Sequence, residues 1–98
     1  MKFLILQRVR PRTPIEILSK LTPAQLKYIE ELRHLGKVEV YYHLIGQQGH
    51  MLIVDAASDD ALSKIVGEDP LFFYSRRTIY PLATLETHKK HLRDLLKP

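Results

Sequence analysis

The stretch Gly36-Lys-Val-Glu-Val-Tyr-Tyr-His-Leu-Ile-Gly46-Gln-Gln-Gly49-His-Met-Leu-Ile-Val-Asp55-Ala56 decides the fold. It reads as an extended run from Lys37 to Ile45, a tight turn from Gly46 to Gly49, and a second extended run from His50 to Ala56. With Gln47 and Gln48 at the tip, Ile45 pairs opposite His50, and strand parity then assigns the faces. One face collects Val38, Val40, Tyr42, Leu44, Met51 and Ile53; being nearly all apolar, it is expected to receive the helices. The other collects Glu39, Tyr41, His43, Ile45, His50, Leu52 and Val54, a mixture suited to a cavity wall. A bulge in the hairpin would reassign these faces.

Working outward, Ser58-Asp59-Asp60 opens a helix that runs to about Val66, with Ser58 as the cap and the aspartates at the positive end of the helix dipole. Ala61, Leu62, Ile65 and Val66 form its inner face. Asp69-Pro70 then returns the chain to the sheet, as a strand from about Phe73 to Tyr80 that Pro81 limits. Upstream, Phe3 to Val9 is a strand whose two parities both begin apolar, as expected when both faces are covered. Thr13-Pro14-Ile15-Glu16 and Thr22-Pro23-Ala24-Gln25 each carry the capping-box pattern with proline at the first helical position. They predict a short helix ending near Leu21 and a second from Pro23 to Leu35, stopped by Gly36. Leu26, Ile29, Leu32 and Leu35 are its expected inner stripe. Glu86 to Leu96 is a last, basic helix with His88, Leu92, Leu95 and Leu96 on one narrow stripe, a candidate for docking on a neighbouring subunit. The order is β-α-β-β-α-β, an α+β ferredoxin-like arrangement with helices on one face of an antiparallel sheet. Two copies placed face to face would cover the other face.

The 98 residues suffice for one domain, residues 1–98, with a C-terminal arm over about 84–98. A core this small gains from a partner subunit. The chain has no cysteine, so disulfide and thiolate chemistry are excluded. No apolar run approaches the roughly 18–20 residues of a bilayer span, and no signal peptide is read, so a cytoplasmic protein without membrane contact is expected. The net charge of +4 comes largely from both ends of the chain, away from the aromatic residues. A nucleic-acid footprint interleaves the two, so none is expected.

From Gly36 to Leu82 the sequence resembles the muconolactone isomerase family. Gly36, Gly46, Asp55, Ser58, Ala61, Leu62, Pro70, Leu71, Phe72 and Tyr74 fall on that family's pattern without a gap. Asp69-Pro70 also fits a looser resemblance to the YCII-related proteins. The resemblance implies a dimeric α+β barrel, often assembled into larger rings. It also implies a double-bond shift in an unsaturated lactone, made by moving a proton between carbons without metal or cofactor. The sequence departs from the family where His43 replaces a frequent Arg, His50 replaces Asn, and Thr84-Leu85-Glu86 replaces an Arg-His-Pro run.

His43 and His50 are the acid/base candidates. Imidazole titrates near pH ~6.5, where one group can take a proton beside a carbonyl and another return it one vinylogous position away. Tyr41 and Tyr74 are candidates to donate to a substrate carbonyl, Arg76 to hold a carboxylate, and Glu39 and Phe72 to line the same space. Two imidazoles with Glu39 lack any diagnostic ligand spacing, so no metal is expected. Cofactor-free isomerisation of a small unsaturated lactone or carbonyl compound is the leading reading. A non-catalytic ligand-binding barrel and a cofactor-independent oxygenase or cyclase on a polyketide-like aromatic stay open beside it.

Overall fold

The computed structural model describes residues 1–97. Its elements are β1 (Lys2–Val9), α1 (Ile15–His34), β2 (Val38–His43), β3 (Gly49–Asp55), α2 (Asp59–Gly67), a 3₁₀ turn (Phe72–Tyr74), β4 (Ser75–Leu82) and α3 (Leu85–Leu95). The four strands form one antiparallel sheet in the order β2-β3-β1-β4. This is the expected β-α-β-β-α-β arrangement, with α1 and α2 on one face. Phe3, Ile5, Leu52, Val54 and Val38 meet Ile29, Leu32 and Ile65 in the core.

The two short helices expected before Gly36 are one. α1 runs unbroken from Ile15 to His34 with Pro23 inside it. Thr13 does not cap: its hydroxyl donates to the Arg10 carbonyl at 2.7 Å, and Pro14 occupies the cap position without a side-chain bond. Neither half alone could bury enough surface, so one rod pressed on the sheet outweighs the backbone bond lost at Pro23. The inner stripe is also rotated from the expected one. Gln25, Ile29 and Leu32 are buried, whereas Leu26 and Leu35 are exposed. Gly36 then ends the helix at φ +73°, the left-handed conformation that a side chain disfavours.

The hairpin register differs as well. Leu44 N–H donates to the Gly49 carbonyl at 3.0 Å and Gln47 N–H to the Leu44 carbonyl at 3.1 Å, closing a four-residue loop over residues 45–48. His43 therefore sits directly opposite His50, not diagonal to it. A bulge between Val38 and Val40 moves Val38 onto the face of Val54. That face lies under the helices, so the expected allocation is reversed. Tyr41, His43, His50, Leu52 and Val54 lie on the covered side, and Val40, Tyr42, Met51 and Ile53 share the open side with Leu4 and Leu6. The physical reason is the bulge: it supplies Val38 to a set that already holds Leu52, Val54, Phe3 and Ile5, enough aliphatic volume for a core. The polar members of the set are all at one end.

β4 begins at Ser75 rather than Phe73, since Phe72–Tyr74 forms the 3₁₀ turn, and it continues through Pro81 to Leu82. Pro81 is tolerated because β4 is an edge strand, whose outer side needs no ladder donor. Ser58 caps α2 as expected, accepting from Ala61 N–H at 3.1 Å. α3 has its own cap, Thr84 accepting from Thr87 N–H at 3.1 Å, yet every one of its residues is exposed.

Candidate functional site

Across the covered face, side chains from all four strands lie in lateral rows. Two rows are largely apolar: Val38-Val54-Phe3-Pro81 and Tyr41-Leu52-Ile5-Ile79. The next is polar throughout, His43-His50-Gln7-Arg77. A polar row in a helix-covered layer needs partners, because burying unpaired hydrogen-bonding groups is costly. The partner is Asp69. Its carboxylate accepts from Gln7 Nε2 at 2.9 Å, from Gln25 Nε2 on α1 at 3.1 Å and from Leu71 N–H at 2.8 Å. The Leu71 bond makes an Asx turn that holds Asp69 in place after α2. Gln25 takes the inner position on α1 because this acceptor lies beneath it.

Beside this network is a cavity of about 280 Å³ between the sheet and α1. Tyr41, His43, His50 and Gln7 form its sheet side; Thr22, Gln25 and Leu26 close it from α1. His50 is only 5% exposed, and its Nε2 has no hydrogen-bond partner among the described residues. Burial pushes the His50 imidazole below its ordinary pKa, outweighing the upward pull of Asp69, and His43 and Arg77 add to the depression. His50 is therefore a neutral base near physiological pH. Cross-strand partners lie roughly 4.5–5.5 Å apart at Cα, so His43, exposed at the rim, is within reach of whatever His50 touches. The Tyr41 ring is 5.4 Å from that of His50, centroid to centroid. Burial raises the Tyr41 phenol above its usual pKa, which keeps it a proton-bearing donor.

Of the residues expected to form a site, the structure brings together Tyr41, His43 and His50. The others lie elsewhere. Arg76 is on the opposite, open face, paired across the ladder with Arg8, and Arg77 holds the place on the covered side. Glu39 stands at the bulge and forms an ion pair with Lys2 at 3.0 Å. Phe72 lies under the Arg77 guanidinium, 4.9 Å from it, and is not part of the cavity wall. Tyr74, at the end of the 3₁₀ turn, is half-buried away from the cavity, its carbonyl accepting from Arg10 N–H.

Sequence reasoning missed Gln7, Gln25, Asp69 and Arg77. The available signal was Gln7, which continues the Phe3/Ile5 parity of a strand otherwise apolar on that side. Gln25 carries a capping-box pattern that does not act as a cap, and Asp69 reads, with Pro70, as the return of the chain to the sheet. No group of three or more His, Cys, Asp or Glu among the described residues is arranged to hold a metal ion.

The family model described as Muconolactone delta-isomerase matches residues 1–90. Muconolactone Delta-isomerase of Cupriavidus pinatubonensis is 34% identical over 56 residues, 57% of this chain and 61% of that protein. The match thus spans less than two thirds of that relative's length. A crystal structure of muconolactone isomerase superposes with a TM-score of 0.75 at 20% identity, covering 86% of this chain and 90% of that one. The 5-chloro-2-hydroxyhydroquinone dehydrochlorinase of Burkholderia phenoliruptrix superposes with a TM-score of 0.73 at 23% identity, covering 89% and 98%. At these identities the two superpositions show a common fold. With the ferredoxin-like sheet, its helix-covered cavity and a family match over residues 1–90, the chain belongs to the muconolactone delta-isomerase family.

Proposed function

We propose that the protein isomerises a small unsaturated lactone or related carbonyl compound by moving one proton between carbons. What carries the reading is His50, a buried imidazole with an unpartnered nitrogen, set beside His43 and Tyr41 at a cavity of substrate size. Neutral His50 takes a proton from the carbon activated by the carbonyl. The resulting dienolate places negative charge on the carbonyl oxygen, where the Tyr41 hydroxyl can donate. His50, or His43 in exchange with solvent at the rim, returns the proton at the conjugated position. One C–H bond breaks and one forms, so no oxidant or reductant is consumed. Such acid–base assistance contributes typically ~10²–10⁴-fold.

The active form is a homodimer or larger homo-oligomer in this reading. Leu4, Leu6, Val40, Tyr42, Met51 and Ile53 form an apolar open face that a second copy would cover. The exposed leucines of α3 add a second surface for the same assembly.

The test is the rate of double-bond shift in an unsaturated lactone, followed by ultraviolet absorbance and by deuterium uptake from heavy water. His50→Gln is expected to lower kcat by 10²-fold or more, and His43→Gln less. The pH profile supplies the sign. His50 works as the neutral form and its pKa is depressed, so kcat/KM stays level above pH ~6.5 and falls only as pH drops below that ordinary imidazole value. Unchanged turnover in the double variant, with the fold intact, overturns the assignment.

A further inference from the structure

Resting on the isomerase reading, we infer that the cavity takes an uncharged lactone, in preference to one bearing a carboxylate. Muconolactone itself, the lactone in the family's name, carries a carboxylate beside its ring. A site built for it would be expected to place a guanidinium or ammonium in the wall, because an anion removed from water needs a charged or multiply donating partner.

No such group lines the cavity among the described residues. The eleven residues lining the cavity include no Lys, Arg, Asp or Glu. Its polar members are amides, a hydroxyl, a phenol and two imidazoles. Immediately behind the wall stands a negative charge. Asp69 accepts from both Gln7 and Gln25, which line the cavity, so its carboxylate stands behind two amides of the wall and disfavours an anion in front of them.

Arg77 continues the polar row beyond Gln7. It does not reach the cavity. Its guanidinium is stacked on Phe72, Nη1 donates to the Phe72 carbonyl at 3.4 Å, and Nε and Nη2 are closed off without a partner. Arg76, the other cation of β4 at this level, points to the opposite face beside Arg8. The volume of about 280 Å³ lies just below the ~300–1,000 Å³ of typical ligand pockets, which suits one small ring with a short substituent.

The experiment compares three probes on the wild-type protein: α-angelica lactone, which is uncharged, muconolactone, and the methyl ester of muconolactone. The expected result is that the ester and α-angelica lactone are isomerised with kcat/KM at least tenfold above that of the acid. Gln48→Arg, which places a cation in the wall, should raise the turnover of the acid relative to its ester. Faster reaction of the acid than of its ester in the wild type overturns this inference while leaving the isomerase reading in place. If none of the three is isomerised or exchanges deuterium, the isomerase reading falls and this inference falls with it.

Discussion

Asp69 is the residue on which the site depends, although it does not line the cavity. It ties a strand glutamine, a helix glutamine and its own loop to one carboxylate. Hydrogen bonds to a charged group contribute ~1.5–3 kcal/mol each, and removing the acceptor leaves the buried amides of Gln7 and Gln25 unsatisfied. Asp69→Ala is therefore expected to destabilise the fold by about 3 kcal/mol or more, read as a lower urea midpoint with an unchanged slope. Asp69→Asn should cost less, because one amide oxygen still accepts. At this scale the sequence was legible for Tyr41, His43 and His50 and opaque for their supports. A glutamine in a capping-box position and one in a strand look unremarkable until a common acceptor is seen between them.

Among the elements, α1 shows how packing overrides local signals. The Thr22-Pro23 pair has the features of a helix start, yet the helix passes through it. Proline inside a helix costs about 3 kcal/mol through a lost backbone bond and a steric clash. Pro23→Ala is expected to stabilise the protein by about 1–2 kcal/mol, seen as a higher melting temperature by circular dichroism. A fall in stability would mean that Pro23 is required by the packing of Thr22 and Gln25 over the cavity. The hairpin gives the complementary case. Its two strands were evident, and the tyrosine and both histidines do share a face. The direction of that face was decided by the bulge at residues 38–40, which leaves no distinctive residue pattern, whereas the two-residue register shift at the loop keeps every side chain on its face.

For the whole molecule, the important surface is the open side of the sheet. Tyr42 is 67% exposed there, in a field that includes Leu4, Leu6, Met51 and Ile53. Contiguous apolar surface of this kind marks an interaction site, and the proposed second copy would cover it symmetrically. Tyr42→Asp is expected to weaken self-association at least tenfold in sedimentation equilibrium while leaving the far-ultraviolet spectrum unchanged. A wild-type protein that is monomeric at high concentration would overturn the assembly.

Legible in the chain alone were the β-α-β-β-α-β succession, the Ser58 cap, the stop at Gly36 and the family frame carried by Gly36, Gly46, Asp55 and Pro70-Leu71-Phe72. These are local matters, set by backbone conformation and by spacing along the chain. Contacts across the sheet settled which face the helices cover, that Arg77 and not Arg76 accompanies the histidines, and that Asp69 joins Gln7 to Gln25. Each of those depends on residues far apart in sequence meeting across the sheet, where a single bulged residue exchanges the faces of a strand end.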